Sequence, residues 1–250
     1  MRILPLSEGS FTIGKDKLFH PFNEATDDLD SRSKGSLLVE VQPFCIVHQK
    51  DVMMLDTGLG FLADGQMQVH ANLKKQGMEP EQVTKVLLTH LHKDHAGGVS
   101  YADRLGNARL AFPNATYFVQ RREYEFAEKT GSPSFIVEEF HAFDTSPRVF
   151  WLNDDEGSID GYIRYKLTAG HSPYHQVFWI EGDGQTIFFG GDEAPQHKQM
   201  LSRMVAKYDY NGKKSMELRQ QWWQEGKEKN WTILYYHDVQ LPMVSPGRVS

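Results

Sequence analysis

Thr89-His90-Leu91-His92-Lys93-Asp94-His95-Ala96-Gly97-Gly98 places three histidines and one aspartate within six residues, directly after the β-branched run 83–89. Neutral imidazole is the commonest protein ligand for a transition metal, and imidazole mixed with carboxylate suits Zn2+. Neither solvation nor packing asks for such a cluster. A tight turn with this spacing aims His90 and His92 at one centre and Asp94 and His95 at a neighbour. Gly97 and Gly98 let the backbone bend close to those side chains. These four ligands cannot fill two centres, because a catalytic zinc takes about three protein ligands and keeps one position for water. Further donors stand at the ends of apolar runs: His171 in Gly170-His171-Ser172-Pro173, Asp192 after Phe188-Phe189-Gly190-Gly191, and His237 after Ile233-Leu234-Tyr235-Tyr236. Loops that follow strands are where α/β proteins commonly place chemistry.

Residues 37–47 and 51–55 read as strands joined by the polar turn His48-Gln49-Lys50, and Asp56-Thr57-Gly58 ends the second. Residues 69–77 predict a short helix stopped by Gly77. The strand 83–89 runs into His90; the strand 115–119 leads into a charged helix over 120–129. Short strands follow at 163–167, 176–180 and 186–189. A helix over 214–229 packs Trp222 and Trp223 on one face, and a last strand, 231–236, ends at His237. Residues 18–36, rich in Asp and holding Pro21, read as a long loop. Strands and helices mixed throughout predict a layered α/β protein. No repeat or composition break divides the chain, so a single domain over residues 1–250 is expected.

The net charge of −6 and the lack of any Lys/Arg run longer than two argue against nucleic acid as a partner. With 40% hydrophobic and 24% charged residues, the chain is not of the disordered class. The lone Cys45, in Phe44-Cys45-Ile46-Val47, excludes an intramolecular disulfide and reads as core. No apolar run approaches the roughly 18 residues of a membrane span, and no signal-peptide h-region is visible. A cytoplasmic protein without membrane association is expected.

Taken in order, Asp56-Thr57-Gly58, His90-x-His92-x-Asp94-His95, His171, Asp192 and His237 resemble the metallo-β-lactamase-fold hydrolases over nearly the whole chain. Within that superfamily the sequence is most similar to the N-acyl homoserine lactone lactonases, the quorum-quenching lactonases. Val119-Gln120-Arg121-Arg122-Glu123-Tyr124-Glu125 resembles their Val-Gln-Arg-x-Glu-Tyr-Glu segment. Gly170-His171-Ser172-Pro173-Tyr174-His175-Gln176 resembles their Gly-His-Thr-Pro-Gly-His-Gln, and His237-Asp238 their His-Asp pair. The resemblance implies an αββα sandwich of mixed sheets with a dinuclear metal site at one edge. It implies that His90, His92 and His171 hold one metal and that Asp94, His95 and His237 hold the other. Asp192 and a hydroxide would bridge them, and Asp56 would orient the ligand loop by hydrogen bonds. Two Zn2+ ions are implied, with manganese, cobalt or iron as alternatives. A small-molecule lactone or ester is the implied substrate, and a homodimer is compatible with many relatives. The bridging hydroxide would attack the carbonyl, a metal would steady the oxyanion, and Asp94 would pass a proton to the leaving alkoxide.

One position departs from the pattern: Pro195 stands where the lactonases carry a Tyr three residues after the bridging Asp. Tyr101, Tyr208 and Tyr210 are available instead, and an aryl-ester or organophosphate hydrolase of the same fold stays open. A glyoxalase-II-like thioesterase shares the ligand set, but the thirteen residues after His237 are too few for its glutathione-binding helical domain. A non-catalytic binding protein on this fold is expected to lose ligands, and here every ligand position is filled. Of the eleven histidines, His20, His48, His70, His141, His175 and His197 read as ordinary surface or core residues. Phe19, Phe22 and His20 can roof a pocket or simply anchor the loop. Met200, Met204 and Tyr208, at helical spacing, read as core or lid packing. Lys93 reads as solvated, pointing away from the metals by alternation.

Overall fold

The computed structural model describes residues 1–248. Two six-stranded mixed sheets face each other. The first runs, in spatial order, Arg2–Pro5, Phe44–His48, Asp51–Leu55, Lys85–Leu87, Thr116–Gln120 and Val149–Leu152. The second runs Glu156–Ile159, Ile163–Leu167, Gln176–Gly182, Gln185–Phe189, Thr232–Leu234 and Met243–Val244. Successive side chains of a strand point to opposite faces, and these strands are apolar on both. Phe44, Ile46, Met53, Leu55, Leu87 and Phe118 face Phe178, Ile180, Ile187, Phe189 and Leu234 across the middle of the molecule. The intervening Cys45, Met54, Val86, Tyr117 and Val119 point outward, onto Val69 and Leu73 of the helix Gln68–Lys75 and Tyr124 and Ala127 of the helix Arg121–Thr130. On the far side, Val177, Trp179, Phe188 and Ile233 pack on Trp222 of the helix Gly212–Glu228. Burying one large apolar side chain contributes about 1.5–3 kcal/mol, so both faces of both sheets need a cover. The αββα sandwich is the result, and Cys45 is a core residue. Among the described residues, no helix is long and apolar enough to cross a membrane.

Asp51–Leu55, Lys85–Leu87 and Thr116–Gln120 run parallel, as do Gln185–Phe189 and Thr232–Leu234. Their C-terminal ends open at one edge of the sandwich. Asp56, His90, Asp192 and His237 all follow such ends.

Several elements differ from the sequence expectation. The strand expected over 37–47 breaks at Gln42-Pro43 into Leu37–Val41 and Phe44–His48. Proline has no N–H to donate to a ladder. Leu37–Val41 instead joins Gly9–Ile13 and Phe19–Phe22 in a separate three-stranded sheet. The region 18–36 therefore starts with a strand, and its Pro21 is tolerated because that strand is an edge. The strand expected over 83–89 shrinks to Lys85–Leu87, because the Thr89 N–H leaves the ladder for the Asp56 carboxylate. The helix His197–Met200 ends before Met204 and Tyr208, so the three residues share no stripe; Met200 alone is core.

Candidate metal centre

His92 to Ala96 turn through the short helix Lys93–Ala96 at the sandwich edge. One metal-binding atom from each of His90, His92, His171 and Asp192 lies within 4.8 Å of the others, and so do those of Asp94, His95 and His237. Asp192 faces both groups. Its Oδ2 is 3.1 Å from His171 Nε2, and its Oδ1 is 3.1 Å from His95 Nε2 and 3.0 Å from His237 Nε2. Asp94 Oδ2 is 3.4 Å from His237 Nε2 and 3.7 Å from His95 Nε2.

The outward nitrogens decide what the inward ones can do. His237 Nδ1 meets the Glu40 carbonyl at 2.6 Å, and a carbonyl only accepts. His171 Nδ1 meets Asp209 at 2.9 Å, and His95 Nδ1 meets Asp56 at 2.7 Å. The Thr89 hydroxyl already donates to Asp56 at 2.7 Å, so at 3.0 Å it accepts from His90 Nδ1–H. Each of these four imidazoles in its neutral form turns an Nε2 lone pair inward. His90 Nε2 and His171 Nε2 converge on His92 Nδ1 at 2.9 and 3.1 Å, so even a protonated His92 Nδ1 can satisfy only one of the two lone pairs well. His95 Nε2 and Asp192 Oδ1 face each other without hydrogen-bond geometry and stay buried without partners. Buried polar atoms are normally paired. A donor set of imidazoles and carboxylates with its lone pairs aimed inward fits a pair of divalent cations.

Burial holds His90 and His92 well below the usual histidine range, and the surrounding imidazoles add to it. Burial opposes ionisation of Asp192, but His237, His95 and His171 outweigh it and hold its carboxyl well below the usual range. Asp192 in turn favours their protonation against burial in the metal-free chain, and bound cations would displace those protons from Nε2. His175, read above as an ordinary residue, is fully buried one layer back. Burial lowers it to about 3, and its neutral Nε2 accepts the Asp192 N–H at 3.2 Å. Gly191 leaves room for that contact: a Cβ there would lie 2.9 Å from His175 Nε2 and 2.8 Å from Thr89. Tyr236 stacks on His95 with centroids 4.0 Å apart and donates to the Asp94 carbonyl at 2.6 Å. Glu123 accepts from Ser172 Oγ at 2.9 Å and from Leu91 N–H, tying the helix Arg121–Thr130 to both ligand loops.

Glu8 buttresses the same edge. Its Oε2 accepts the Leu59 N–H at 2.7 Å, and Oε1 is buried without a partner. Burial pushes this carboxyl up to about 8 despite the Leu59 hydrogen bond, and the Asp94 charge adds to the rise. Between about pH 5 and 8 the unfolded chain has lost this proton while the folded chain keeps it, so stability falls as pH rises through that window. Glu8→Gln is expected to flatten the slope, by at most about 5 kcal/mol over the window. Denaturant unfolding of metal-free protein at pH 5.5 and 8 measures it; a slope unchanged by the substitution contradicts the assignment.

A cavity of about 540 Å3 opens over the two groups, with His92, Asp94, His171, Asp192 and His237 at its base and Phe19, Leu37, Val39, Phe126 and Phe135 among its walls. A larger hollow of about 820 Å3 lies on the other side of Gly97, without the clustered groups. Phe19 is thus a wall residue, whereas Phe22 is buried and His20 exposed. Lys93 corrects the alternation argument: it begins a helix, not a strand, and its Nζ donates to the Lys17 carbonyl at 2.6 Å beside the Phe19 ring, at the cavity. Pro195 is buried, its carbonyl accepting the His237 N–H at 2.9 Å. The phenols at the cavity are Tyr208 and Tyr210; Tyr101 lies on a distant hairpin. Sequence reasoning missed Asp209, Glu8 and Glu193. Only Glu193 left a signal, as a second carboxylate beside Asp192 in an otherwise apolar stretch.

The fold and the paired groups define a metallo-β-lactamase arrangement. The profile described as Metallo-beta-lactamase superfamily matches residues 39–204, and the chain belongs to that superfamily. Among characterised relatives, it is 35% identical over 120 residues to the N-acyl homoserine lactonase AttM of Azorhizobium caulinodans, covering 44% of this chain and 40% of that protein. The match thus spans less than half the length of this relative. A crystal structure of a probable metal-dependent hydrolase from Staphylococcus aureus superposes with a TM-score of 0.79 at 20% identity, over 97% of this chain and 91% of the other. AidC, a dizinc quorum-quenching lactonase in complex with a product, superposes with a TM-score of 0.71 at 17% identity, over 96% and 88%.

Proposed function

We propose that the seven clustered side chains hold two divalent metal ions, zinc foremost, and that the chain is a hydrolase that opens a lactone or ester, with N-acyl homoserine lactones the leading substrates. The observation that carries this reading is the Asp192 carboxylate, which turns one oxygen to each ligand group at the base of an apolar-walled cavity. The lactone preference draws on the likeness to AttM. His90, His92 and His171 would hold one ion, Asp94, His95 and His237 the other, and Asp192 would serve both. When bound, such a pair supplies Lewis-acid polarisation of a carbonyl and a water acidified towards neutral pH.

The chain's own residues do the rest. Asp56, Asp209, Thr89 and the Glu40 carbonyl fix the imidazole tautomers. The wall formed by Phe19, Leu37, Phe126 and Phe135 takes an acyl chain and excludes water from it. Asp94 stands at the cavity base and can hold a proton for the leaving alkoxide. Asp94→Asn is expected to lower kcat by about 10²–10⁴-fold and to weaken only the ion held with His95 and His237. Undiminished turnover in that variant removes the proton role.

A second reading, an aryl-ester or organophosphate hydrolase, is favoured by one observation. Pro195 replaces the Tyr of the lactonases, and the phenols at the cavity belong to a different segment. The deciding experiment measures metal content by atomic emission, then turnover on acyl homoserine lactones, other lactones, aryl esters, phosphotriesters and thioesters with zinc, manganese or cobalt. Two equivalents of metal with lactone opening supports the first reading. Fast phosphotriester cleavage without lactone opening moves the assignment to the second, and a chain that binds no metal ends both.

A further inference from the structure

The loop that presents His171 is not self-supporting. Ala169, two residues before it, has φ +53°, a left-handed conformation that costs a non-glycine residue about 1–2 kcal/mol. Glu193 holds the loop in place. Its fully buried Oε1 accepts three hydrogen bonds from it: the Thr168 hydroxyl at 2.6 Å, the Gly170 N–H at 2.7 Å and the His171 N–H at 2.9 Å. The carboxylate fills the space beside Gly170, where a Cβ would lie 2.3 Å from Oε2.

Glu193 is itself anchored by Arg219, a wholly buried guanidinium on the helix Gly212–Glu228. Arg219 Nη1 donates to the Glu193 carbonyl at 3.0 Å, and Nη2 donates to the Met204 carbonyl at 2.6 Å. Met204 begins the stretch that brings Asp209 to His171 Nδ1 at 2.9 Å. The Tyr210 N–H also returns to the His171 carbonyl at 3.0 Å. Arg219 thus links the two carboxylates that grip His171, one by the backbone and one by the ring. Glu193 also follows Asp192 directly in the chain, so whatever fixes its peptide fixes the carboxylate shared by both ligand groups.

We infer that Glu193 and Arg219 are positioning residues that lock His171 and Asp192 into one rigid unit and thereby set the affinity of the ion held by His90, His92 and His171. This rests on the two-metal reading above. The opposite group is steadied from elsewhere, by Asp56 and the Glu40 carbonyl, so the two ions respond differently.

The test loads Glu193→Gln, Glu193→Ala and Arg219→Lys with cobalt(II) and follows visible absorption and chelator competition for each equivalent. Phe143→Leu, in the outer core away from the site, serves as a control for general loss of stability. In Glu193→Gln the ion held by His90, His92 and His171 is expected to weaken by about 10–100-fold, the usual effect of removing support behind a ligand, and the other ion, which shares only Asp192 with it, by clearly less. Glu193→Ala is expected to lose the first of these ions altogether; should it fail to fold, the isosteric glutamine variant still decides. Both ions held at wild-type affinity in the Glu193 variants, or an equal loss in Phe143→Leu, overturns the inference. A wild-type chain binding fewer than two ions instead sinks the two-metal reading, and this inference with it.

Discussion

Asp192→Asn is expected to abolish turnover while leaving the fold intact. Asp192 is the residue on which both ligand groups depend, one oxygen 3.1 Å from His171 and the other 3.0 Å from His237. Its charge is stabilised in spite of burial by three imidazoles, so the site is built around an anion at this point. Asparagine keeps the volume and one acceptor but turns an NH2 group, a donor with no lone pair to give, toward one of the two groups. Of the two ions proposed above, one would lose a ligand outright and the other the charge that balanced it. Metal content is expected to fall from two equivalents to one or fewer, and kcat/KM by at least about 10⁴-fold, since both polarisation of the carbonyl and acidification of the water depend on the pair. Far-ultraviolet circular dichroism is expected to stay unchanged, because the Asp192 N–H still bonds to His175 Nε2. An asparagine variant that keeps two tightly bound ions removes Asp192 from the bridging position.

The clustered histidines and aspartates are legible in the sequence because their spacing is local or follows strand ends. His90, His92, Asp94 and His95 lie on one turn, and Asp192 and His237 each end an apolar run. The layered fold was legible for a related reason: strands apolar on both faces, such as Phe44–His48 and Gln185–Phe189, need cover on both sides. The supports behind the ligands depend on chain approach and left little trace. Asp209 reaches His171 across 38 residues, and the Glu40 carbonyl reaches His237 across 197. No local pattern marks a backbone carbonyl as a partner. His175 carries no signal of its own, because a lone histidine in a strand-entry loop looks like any core histidine, and only the fold sets Asp192 beside it. The three-stranded sheet went unseen because its members, four and five residues long, are too short for a period to show. Strand alternation fails at Lys93 because that residue starts a helix.

Asp56→Ala is expected to destabilise the metal-free protein by about 3–5 kcal/mol, because it orphans three buried donors at once. The Asp56 side chain is fully buried and receives three donors: the Thr89 N–H at 2.8 Å, the Thr89 hydroxyl at 2.7 Å and His95 Nδ1 at 2.7 Å. Alanine leaves all three without a partner in a place water does not reach, and an orphaned buried donor costs about 1–3 kcal/mol. The backbone adds to this, since position 56 has φ +54°, a conformation that aspartate and asparagine tolerate better than alanine does. Asp56→Asn separates the two effects. It keeps an acceptor for Thr89 and suits the backbone, so its stability loss is expected to be smaller. With its oxygen on the Thr89 N–H, however, its NH2 replaces Oδ2, the oxygen that accepts from both the Thr89 hydroxyl and His95; the reverse orientation sets NH2 against the Thr89 N–H. Once His95 is released from Asp56, its proton is free to move to Nε2, which removes the lone pair aimed at Asp192 Oδ1. Both variants are therefore expected to weaken the ion held by Asp94, His95 and His237 by about 10–100-fold, although only the alanine variant shows the full loss of stability. Denaturant unfolding of the metal-free chain and chelator competition on the loaded one measure the two quantities separately. Alanine at the wild-type unfolding midpoint, or asparagine with both ions at wild-type affinity, would show that the carboxylate neither supports the loop nor sets the imidazole tautomer.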